Sequence, residues 1–336
     1  MDELLQRETE GLIRSWMRHD QEMLRGYLVA DVEDPRINFQ SLLTRHFLIE
    51  ALFGPRRFAA LKLAELRFAA AMNWLHSFLG EAGDADAALH ALRVGADNAE
   101  GIEIPHHLRL TFGGLPTRAT GSWVPHYIRK ALESARTGTG KPALAAPVLS
   151  TFQGLWRRRL DKERPARLAV FEPACGSAND YRFIEAFGIA RLVDYTGMDL
   201  CEKNVLNAQA LFPHARFAVG NAFSIEADDR AFDCCIVHDL FEHLSPAGME
   251  AAIGEICRVT RRGVCVGFFN MDEIDEHIVR TVDDYHWNTL SMERTKAVFE
   301  RHFPVVRVIH IESFLRWRLG CGETHNPRAY TLVASS

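Results

Sequence analysis

From Pro165 onward the chain alternates apolar runs with stretches of helical spacing, and this alternation limits the possible folds most strongly. The runs that predict strands are RLAVFEPA, LVDYTGMD, ARFAVGN, FDCCIVHD, GVCVGFFN, VVRVIHI and AYTLVAS. Helices are expected over 180–187, 202–211, 246–259 and 292–301. Strands separated by helices pair in parallel, with the helices packed on both faces of the sheet. The last two runs have no long helix between them and indicate an antiparallel hairpin, so the sequence predicts an α/β fold with a doubly wound, seven-stranded sheet.

The first part of the chain has a different pattern and predicts a mainly helical N-terminal domain. Three segments of helical period precede residue 80, and Gly54-Pro55 separates the last two. Glycine and proline then interrupt the pattern, and ARTGTGKPALAAP indicates a linker. We therefore expect a helical domain over 1–147 and an α/β domain over 148–336. The helical domain could form a homodimer interface, act as a scaffold, or form a lid, in which TGSWVPHYIRK could place Trp123, His126 or Tyr127 over a bound ligand.

Composition excludes several classes of protein. With 39 basic and 44 acidic residues the formal charge is −5, which offers no general attraction to a polyanion, so no nucleic acid partner is expected. The seven cysteines form no C-x-x-C pair, which favours buried thiols in a reducing compartment. We predict a cytoplasmic protein without a membrane association, because neither a basic signal sequence nor a long apolar span is apparent. His106-His107 has no third ligand at useful spacing and is interpreted as part of a loop.

The stretch VFEPACGSANDYRF has the pattern of a strand, a tight turn and a helix, where α/β proteins bind ligands. A nicotinamide fingerprint would need glycine at 174, 176 and 179, but only Gly176 is present. A pyrophosphate needs close approach to several bare backbone units, so a dehydrogenase is not expected. Asn179 or Asp180 is predicted to cap the following helix, and Gly188 to close it.

VFEPACGSA resembles the first motif of class I S-adenosylmethionine-dependent methyltransferases, in which an acid follows an apolar strand and precedes Gly-x-Gly-x-Gly. Glu172 matches the acid and Gly176 the central glycine, while Ala174 and Ala178 occupy the outer glycine positions. The resemblance implies a cofactor site for S-adenosylmethionine that includes Glu172, Ala174 and Gly176. Alanine at the outer positions is a departure that adds a methyl group but neither charge nor polarity.

The resemblance extends to three later motifs in the expected order. Asp199 follows Glu172 by 27 residues and resembles the acid that accepts the ribose hydroxyls, with Leu200 beside it; a helix cap is the alternative. Asn221 resembles the residue that reads the adenine amino edge, where the family more often has aspartate, and Ala222 contributes its backbone amide; a simple turn is the alternative. His238 and Asp239 end the fourth strand, which the resemblance places under the sulfonium.

The candidate catalytic groups follow the fourth strand and precede the last helix. His243 is the predicted general base, because histidine titrates near neutrality, although a structural hydrogen bond at a helix start is equally compatible. Asp239 lies beside it, and Tyr285 and His286, followed by Trp287, are candidates for the acceptor site. Aromatic rings could stack on a planar acceptor or contact a cationic amine, or simply pack in the core.

A magnesium site is not predicted. Catechol-type methyltransferases bind this ion through two aspartates and an asparagine near the ends of strands four and five. Asp239, Asn270 and Asp272 are nearby, but the Asp-Asn dipeptide is absent from the sequence.

The sequence therefore predicts a methyltransferase that acts on oxygen or nitrogen of a small molecule. Two alternatives remain: methylation of RNA or protein, for which WRRRLDKERPAR is the one short basic segment, and a binding protein that keeps the fold without catalysis.

Overall fold

The computed structural model of the protein describes residues 2–17, 39–54, 157, 160, 165–314 and 326–336. Within these ranges, a seven-stranded mixed sheet with flanking helices forms the α/β domain, as predicted. Two further helices come from the N-terminal part of the chain. In the described part of the chain, no helix combines the length and the hydropathy that a membrane span requires.

The sheet has the strand order β6-β7-β5-β4-β1-β2-β3. Its strands are β1 Leu168–Pro173, β2 Val193–Asp199, β3 Arg216–Val219, β4 Phe232–His238, β5 Thr260–Phe268, β6 Val305–His310 and β7 Tyr330–Ser335. The first five strands are parallel, whereas β7 pairs antiparallel with both β5 and β6. The predicted terminal hairpin is confirmed, and its second strand lies inside the sheet.

The helices occupy the segments between the strands, close to the predicted bounds. They are α1 Glu3–Met17, α2 Phe39–Phe53, α3 Asn179–Ala186, α4 Glu202–Leu211, α5 Pro246–Val259, α6 Met292–Glu300 and the one-turn α7 Ile311–Phe314. β5 begins three residues earlier than its apolar run, because Thr260 continues directly from α5 into the sheet. Two short ladders, 271–272 with 290–291 and 281–282 with 285–286, were not predicted, since two-residue strands have no detectable period.

The core lies between the sheet and its helices, and the central parallel strands β1, β4 and β5 are mostly buried on both faces. Val237, Val264 and Phe268 are fully buried at its centre, where the apolar face of α5 packs with Ile253 and Ile256. Continuous apolar strands are typical of parallel sheets covered on both sides. Six cysteines lie buried as free thiols in this domain, as expected.

Helices α1 and α2 pack directly on the α/β domain. Leu12 joins the main core cluster, whereas Ile13, on the neighbouring stripe, is 38% exposed. Leu48 and Ile49 of α2 are fully buried, and the Arg45 guanidinium lies 3.8 Å from the centre of the Phe187 ring. The third predicted helix, the linker, His106-His107, Trp123, His126 and Tyr127 lie outside the described residues.

Candidate active site

The carboxyl edge of the parallel strands forms the candidate site, because the chain reverses its direction of strand addition between β1 and β4. From β1 the chain adds β2 and β3 on one side and then returns to place β4 on the other side. Loops that follow neighbouring strands diverge at such a point and leave a crevice at the carboxyl ends. The segments after β1, β2, β3 and β4 therefore meet along one edge.

The loop after β1 has an alternating left-handed backbone. Ala174, Gly176 and Ala178 have φ angles of 55°, 53° and 69°. These are the three positions where the motif has glycine, so two alanines adopt a conformation that disfavours a Cβ atom. A Cβ built on Gly176 would meet none of the described atoms within 4 Å, which leaves open space above the loop.

The predicted cap of α3 is wrong. The N-cap residue is Ala178, which has a left-handed backbone and no side-chain atom that could accept a cap hydrogen bond, while Asn179 and Asp180 already lie inside the helix. The Asp180 side chain instead contacts His238, as described below. Gly188, with φ 73°, follows the helix end and donates its amide to the Glu185 carbonyl, as predicted for a helix terminator.

Asp199 connects the loops after β1 and β2 through hydrogen bonds. Its Oδ2 accepts from the Gly176 amide at 2.9 Å, and its Oδ1 accepts from the Cys201 amide at 2.9 Å and from the Asn204 side chain at 3.1 Å. Burial raises the pKa of this carboxyl, and the three hydrogen bonds oppose that shift. A carboxylate has about four lone-pair sites, so capacity for a further donor remains.

The third loop carries Asn221 and Ala222, both partly buried. The Asn221 Oδ1 accepts from the Phe223 amide at 2.9 Å, and its Nδ2 donates to the Thr9 hydroxyl of α1 at 3.0 Å. Ala222 and Leu200 pack against the main core cluster with part of their surface exposed at the site edge. The structure thus brings all of the predicted cofactor residues of these loops to one edge.

Glu172 is buried beneath the first loop and accepts a hydrogen bond from the Tyr195 hydroxyl at 2.5 Å. Burial raises its pKa well above the ordinary value, and the negative charge of Asp180 raises it further. A buried carboxyl held in this way favours its neutral form. Glu172 therefore contributes a buried hydrogen-bonding group to the floor of the site.

His238, at the end of β4, contacts both Asp180 of α3 and Thr44 of α2. Its Nδ1 lies 2.5 Å from Asp180 Oδ2, and its Nε2 lies 2.9 Å from the Thr44 hydroxyl. Burial alone would lower its pKa, but the charge and hydrogen bond of Asp180, together with the charges of Asp239 and Glu242, raise it overall. The protonated ring has two N–H donors, which matches a carboxylate on one side and a hydroxyl oxygen on the other.

His243 lies in a short 3-10 turn after β4 and is surrounded by aromatic rings. The ring centres of Phe269, Tyr285 and Trp287 lie 5.4, 5.8 and 5.3 Å from that of His243. The His243 Nδ1 is 3.1 Å from the His286 carbonyl oxygen, so this nitrogen carries the proton and the lone pair is on Nε2. Burial, together with the neighbouring His286 ring, lowers the pKa of His243.

The remaining predicted residues occupy different positions around this cluster. Asp239 is exposed, with a left-handed φ of 50°. His286 is partly buried, and its Nδ1 has no hydrogen-bond partner among the described residues. Glu242 was not predicted: it is fully buried, its Oε1 accepts from the amides of Phe269 and Asn270, and burial followed by the Asp239 charge raises its pKa to about 8.

The three oxygen-bearing residues considered for magnesium have other contacts. The Asn270 side chain donates to the Asn288 carbonyl at 2.8 Å and accepts from Arg328 at 3.4 Å. Asp272 pairs with the same arginine at 3.6 Å. No cluster of three or more potential metal ligands occurs among the residues that the structure describes.

Sequence reasoning missed five residues around this site, namely Thr9, Thr44, Asp180, Tyr195 and Glu242. Each acts through a partner far away in the chain, and Thr9 lies 212 residues from Asn221. The contact of Asp180 could have been anticipated in part from the sequence, because a second acid close to a motif acid is costly to bury unless a cationic side chain pairs with it. The two threonines had no local signal.

Residues 170–263 match the protein family described as a methyltransferase domain. A search of curated protein sequences gives no match.

Solved structures with a similar arrangement include several methyltransferases. An S-adenosylmethionine-dependent methyltransferase from Methanosarcina mazei has 12% identity and a TM-score of 0.40, with 53% of this chain and 96% of that chain covered. A TehB-like S-adenosylmethionine-dependent methyltransferase from Corynebacterium glutamicum has 19% identity and a TM-score of 0.36, with coverages of 54% and 86%. The 1,6-didemethyltoxoflavin-N1-methyltransferase of Burkholderia thailandensis has 12% identity and a TM-score of 0.37, with coverages of 56% and 77%.

These likenesses are too distant to assign a substrate, and the assignment depends on the family match and on the geometry of the chain itself. The matched residues run from β1 into β5 and include all four loops of the carboxyl edge. On this basis residues 170–263 match a methyltransferase domain, and the seven-stranded sheet with its flanking helices fits the class I S-adenosylmethionine-dependent methyltransferase fold.

Proposed function

We propose that the protein transfers the methyl group of S-adenosylmethionine to an oxygen or nitrogen atom of a small molecule. The observation that carries the proposal is the position of His243: a histidine with a lowered pKa, oriented by a carbonyl and surrounded by three aromatic rings beside the cofactor edge. Trp287 is 42% exposed, so one wall of this aromatic cluster is open to an incoming molecule.

The residues of the carboxyl edge fit the cofactor. The left-handed loop at Gly176 leaves open space where a Cβ would otherwise stand, as expected for a backbone that lies against a ligand. Asp199 keeps lone pairs for a ribose hydroxyl while it holds the Gly176 amide. We assign the ribose to Asp199, the adenine edge to Asn221 and Ala222, and the methionine end to the loop from Ala174 and to His238.

The chemistry divides between the cofactor and His243. When bound, S-adenosylmethionine supplies a methyl group on a positively charged sulfur atom. His243 Nε2 would take up the proton that the acceptor atom loses as it bonds to the transferred methyl group, and the electron pair of the broken carbon–sulfur bond would stay with the cofactor sulfur. The lowered pKa keeps this nitrogen unprotonated at neutral pH, and the carbonyl of His286 aims it by holding Nδ1–H.

The aromatic rings position the acceptor. Stacking on Tyr285 and Trp287 would align a planar molecule in line with the methyl group, and alignment supplies much of the acceleration in such a displacement. A cationic amine would gain from the same rings through cation–π attraction. Asp239, exposed at the end of β4, would contact a polar group of the acceptor.

Labelled S-adenosylmethionine provides the direct test of the acceptor class. A cell extract is divided by ultrafiltration into a small-molecule fraction and a macromolecular fraction, and each is incubated with the protein and methyl-labelled cofactor. We expect label in the small-molecule fraction. Label confined to RNA or protein would overturn the proposal, and so would the absence of transfer to either fraction.

His243→Gln tests the general base. Glutamine keeps a hydrogen-bonding side chain of similar reach but cannot take up a proton, so turnover should fall by about 10²–10⁴-fold. Affinity for S-adenosylhomocysteine, measured by calorimetry, should stay within about threefold. In the wild type, turnover should be constant above neutral pH and decrease as the pH falls through a value below 6.5, where His243 becomes protonated. Normal turnover in the variant would remove His243 from this role.

Asp199→Asn tests the cofactor assignment, with Asp194→Asn on the same strand as the matched control. The amide cannot accept from Gly176, Cys201 and ribose hydroxyls together, so affinity for S-adenosylhomocysteine should fall at least about tenfold. Asp194 is exposed and pairs with Arg167 away from the carboxyl edge, so its variant should bind normally. Equal affinity of both variants would contradict the ribose assignment.

A further inference from the structure

A cavity of about 520 Å³ lies at the amino ends of β1, β2 and β3, opposite to the carboxyl edge that forms the candidate active site. It is bordered by the first residues of β2 and β3, Val193 and Arg216, and by α3. Cavities of about 300–1,000 Å³ hold small-molecule ligands in proteins. None of the residues assigned to the cofactor or to the acceptor lines this space, so it is distinct from the candidate active site.

The Tyr181 side chain carries an unsatisfied hydroxyl group into this region. The residue is 3% exposed and its ring packs against those of Tyr195 and Phe212, yet the hydroxyl makes no hydrogen bond with any described residue. Burial, followed by the charge of Glu185, raises the pKa of Tyr181 to about 12, and Arg167 opposes the shift. Both charged residues line the cavity, so the hydroxyl lies beside it and stays protonated at neutral pH. Buried hydroxyl groups normally have a partner, and this one is a donor for a ligand in the cavity.

Arginine side chains give the cavity an excess of positive charge. Arg167 Nε lies 2.9 Å from Asp194 Oδ1, and His214 Nε2 lies 2.7 Å from Glu185 Oε1. Arg216 is exposed and forms no ion pair within the part of the chain that the structure describes. The lining as a whole contains three arginines and two acids, so an anionic group is favoured there.

Tyr195 separates this cavity from the cofactor site. The residue contributes to the lining, and its hydroxyl donates to Glu172 at 2.5 Å, beneath the loop after β1. A ligand in the cavity and S-adenosylhomocysteine at the carboxyl edge would therefore occupy opposite ends of the sheet and could bind together.

We infer that this cavity is a second binding site, which takes a small aromatic molecule that bears a carboxylate or phosphate group. The Arg216 guanidinium suits the oxygens of either anion, and the Tyr181 hydroxyl adds a donor. Val193, Tyr195 and Ala215 supply apolar surface for the ring of the ligand. The inference goes beyond the proposed function, because none of these residues takes part in methyl transfer.

NMR titrations of the protein with phenyl phosphate and with benzoate test the site, in the presence of saturating S-adenosylhomocysteine. Phenol and benzamide are the uncharged controls. We expect saturable binding of at least one anion with a Kd of about 1 mM, and shifts of the amide signals at the starts of β2 and β3. The anion that binds more tightly identifies the acidic group. Equal binding of the uncharged controls, shifts confined to the carboxyl edge, or no saturable binding of either anion would overturn the inference.

Two substitutions assign the binding to this cavity. Tyr181→Phe removes only the hydroxyl and Arg216→Gln removes the charge, and each should weaken binding of the anion about tenfold. Arg301→Gln, an exposed arginine that pairs with Glu250 far from the cavity, should bind normally. Unchanged affinity in either folded cavity variant would overturn the inference.

Thermal unfolding separates the loss of a ligand contact from a loss of structure. Tyr181→Phe should unfold at the temperature of the wild type or above it, because its hydroxyl has no partner among the described residues to lose. Tyr195→Phe is the matched control and should unfold earlier, because it removes the donor to the buried Glu172. A clear loss of stability in Tyr181→Phe would show that its hydroxyl supports the fold and would also contradict the inference.

Discussion

Ala174 adopts a left-handed backbone, with φ 55°, that a residue with a Cβ atom rarely takes. This conformation costs alanine about 1–2 kcal/mol of strain. Glycine avoids the strain, but ordering its more flexible unfolded backbone costs about 0.5–1 kcal/mol more than ordering alanine. Ala174→Gly should therefore raise the free energy of unfolding by about 0.5–1 kcal/mol. Gly176, two residues further along, has the same backbone conformation. Gly176→Ala should lower the free energy of unfolding by a similar amount, because the new Cβ strains the left-handed backbone although it contacts no described atom. Urea unfolding of both variants measures these changes, and a loss of stability in Ala174→Gly would show that its methyl group contributes packing.

Glu242 gives the domain a pH-dependent stability. Its pKa is raised to about 8 in the folded protein from an ordinary 4.5, so folding takes up a proton between these values. The free energy of unfolding should consequently decrease as the pH rises from 4.5 toward 8, where the buried side chain must ionise. Glu242→Gln keeps an acceptor for the two backbone amides and does not titrate. At about pH 8 it should be more stable than the wild type by on the order of 3–4 kcal/mol, and by little at about pH 4.5.

Urea unfolding at several pH values measures this difference. A stability advantage of Glu242→Gln that is the same at every pH would contradict the titration of Glu242 as its cause.

At the scale of elements, α1 completes the N-terminal cap of α5. Ser245 is the N-cap and accepts from the Gly248 amide at 3.0 Å. A capping box would have glutamate or glutamine at 248, with its carboxylate on the N-cap amide. Glycine stands there instead, and Glu8 of α1 supplies the carboxylate, accepting from the Ser245 amide at 2.5 Å and from its hydroxyl at 2.6 Å. The cap is thus shared between two helices that are distant in the sequence.

Gly248→Ala should separate α1 from α5. A Cβ at this position would lie 2.7 Å from Glu8 Oε2, so the carboxylate must withdraw. Gly254→Ala in the same helix is the control, because a Cβ there meets no described atom within 4 Å and alanine favours the helix by about 1 kcal/mol. We expect Gly254→Ala to be stabilised, and Gly248→Ala to be destabilised with faster hydrogen exchange in α1. Similar gains in stability for both variants would show that Glu8 adapts without cost.

At the scale of the whole molecule, the strands and helices of the α/β domain could be predicted because each of them has its own local apolar period. β2, α4 and α5 begin and end within a residue of their sequence patterns. The motif acids Glu172 and Asp199 could also be identified from the sequence, because their position at the ends of strands is a local property. The contact between Asp180 and His238 could not be predicted from the sequence. The two residues lie 58 positions apart, and their local patterns indicate only the start of a helix and the end of a strand.

The position of β7 has a consequence for how the protein forms during synthesis. Residues 330–335 lie between β5 and β6, so β6 has no pairing with the rest of the sheet until they arrive. Helix α1 is made before the α/β domain, and its partners Ser245 and Asp284 lie 237 and 270 residues after Glu8 and Arg14. A nascent chain that stalls before residue 330 would expose the edges of β5 and β6, and open strand edges promote aggregation. Insertion of β7 therefore covers one edge of β5 and one edge of β6 in a single step.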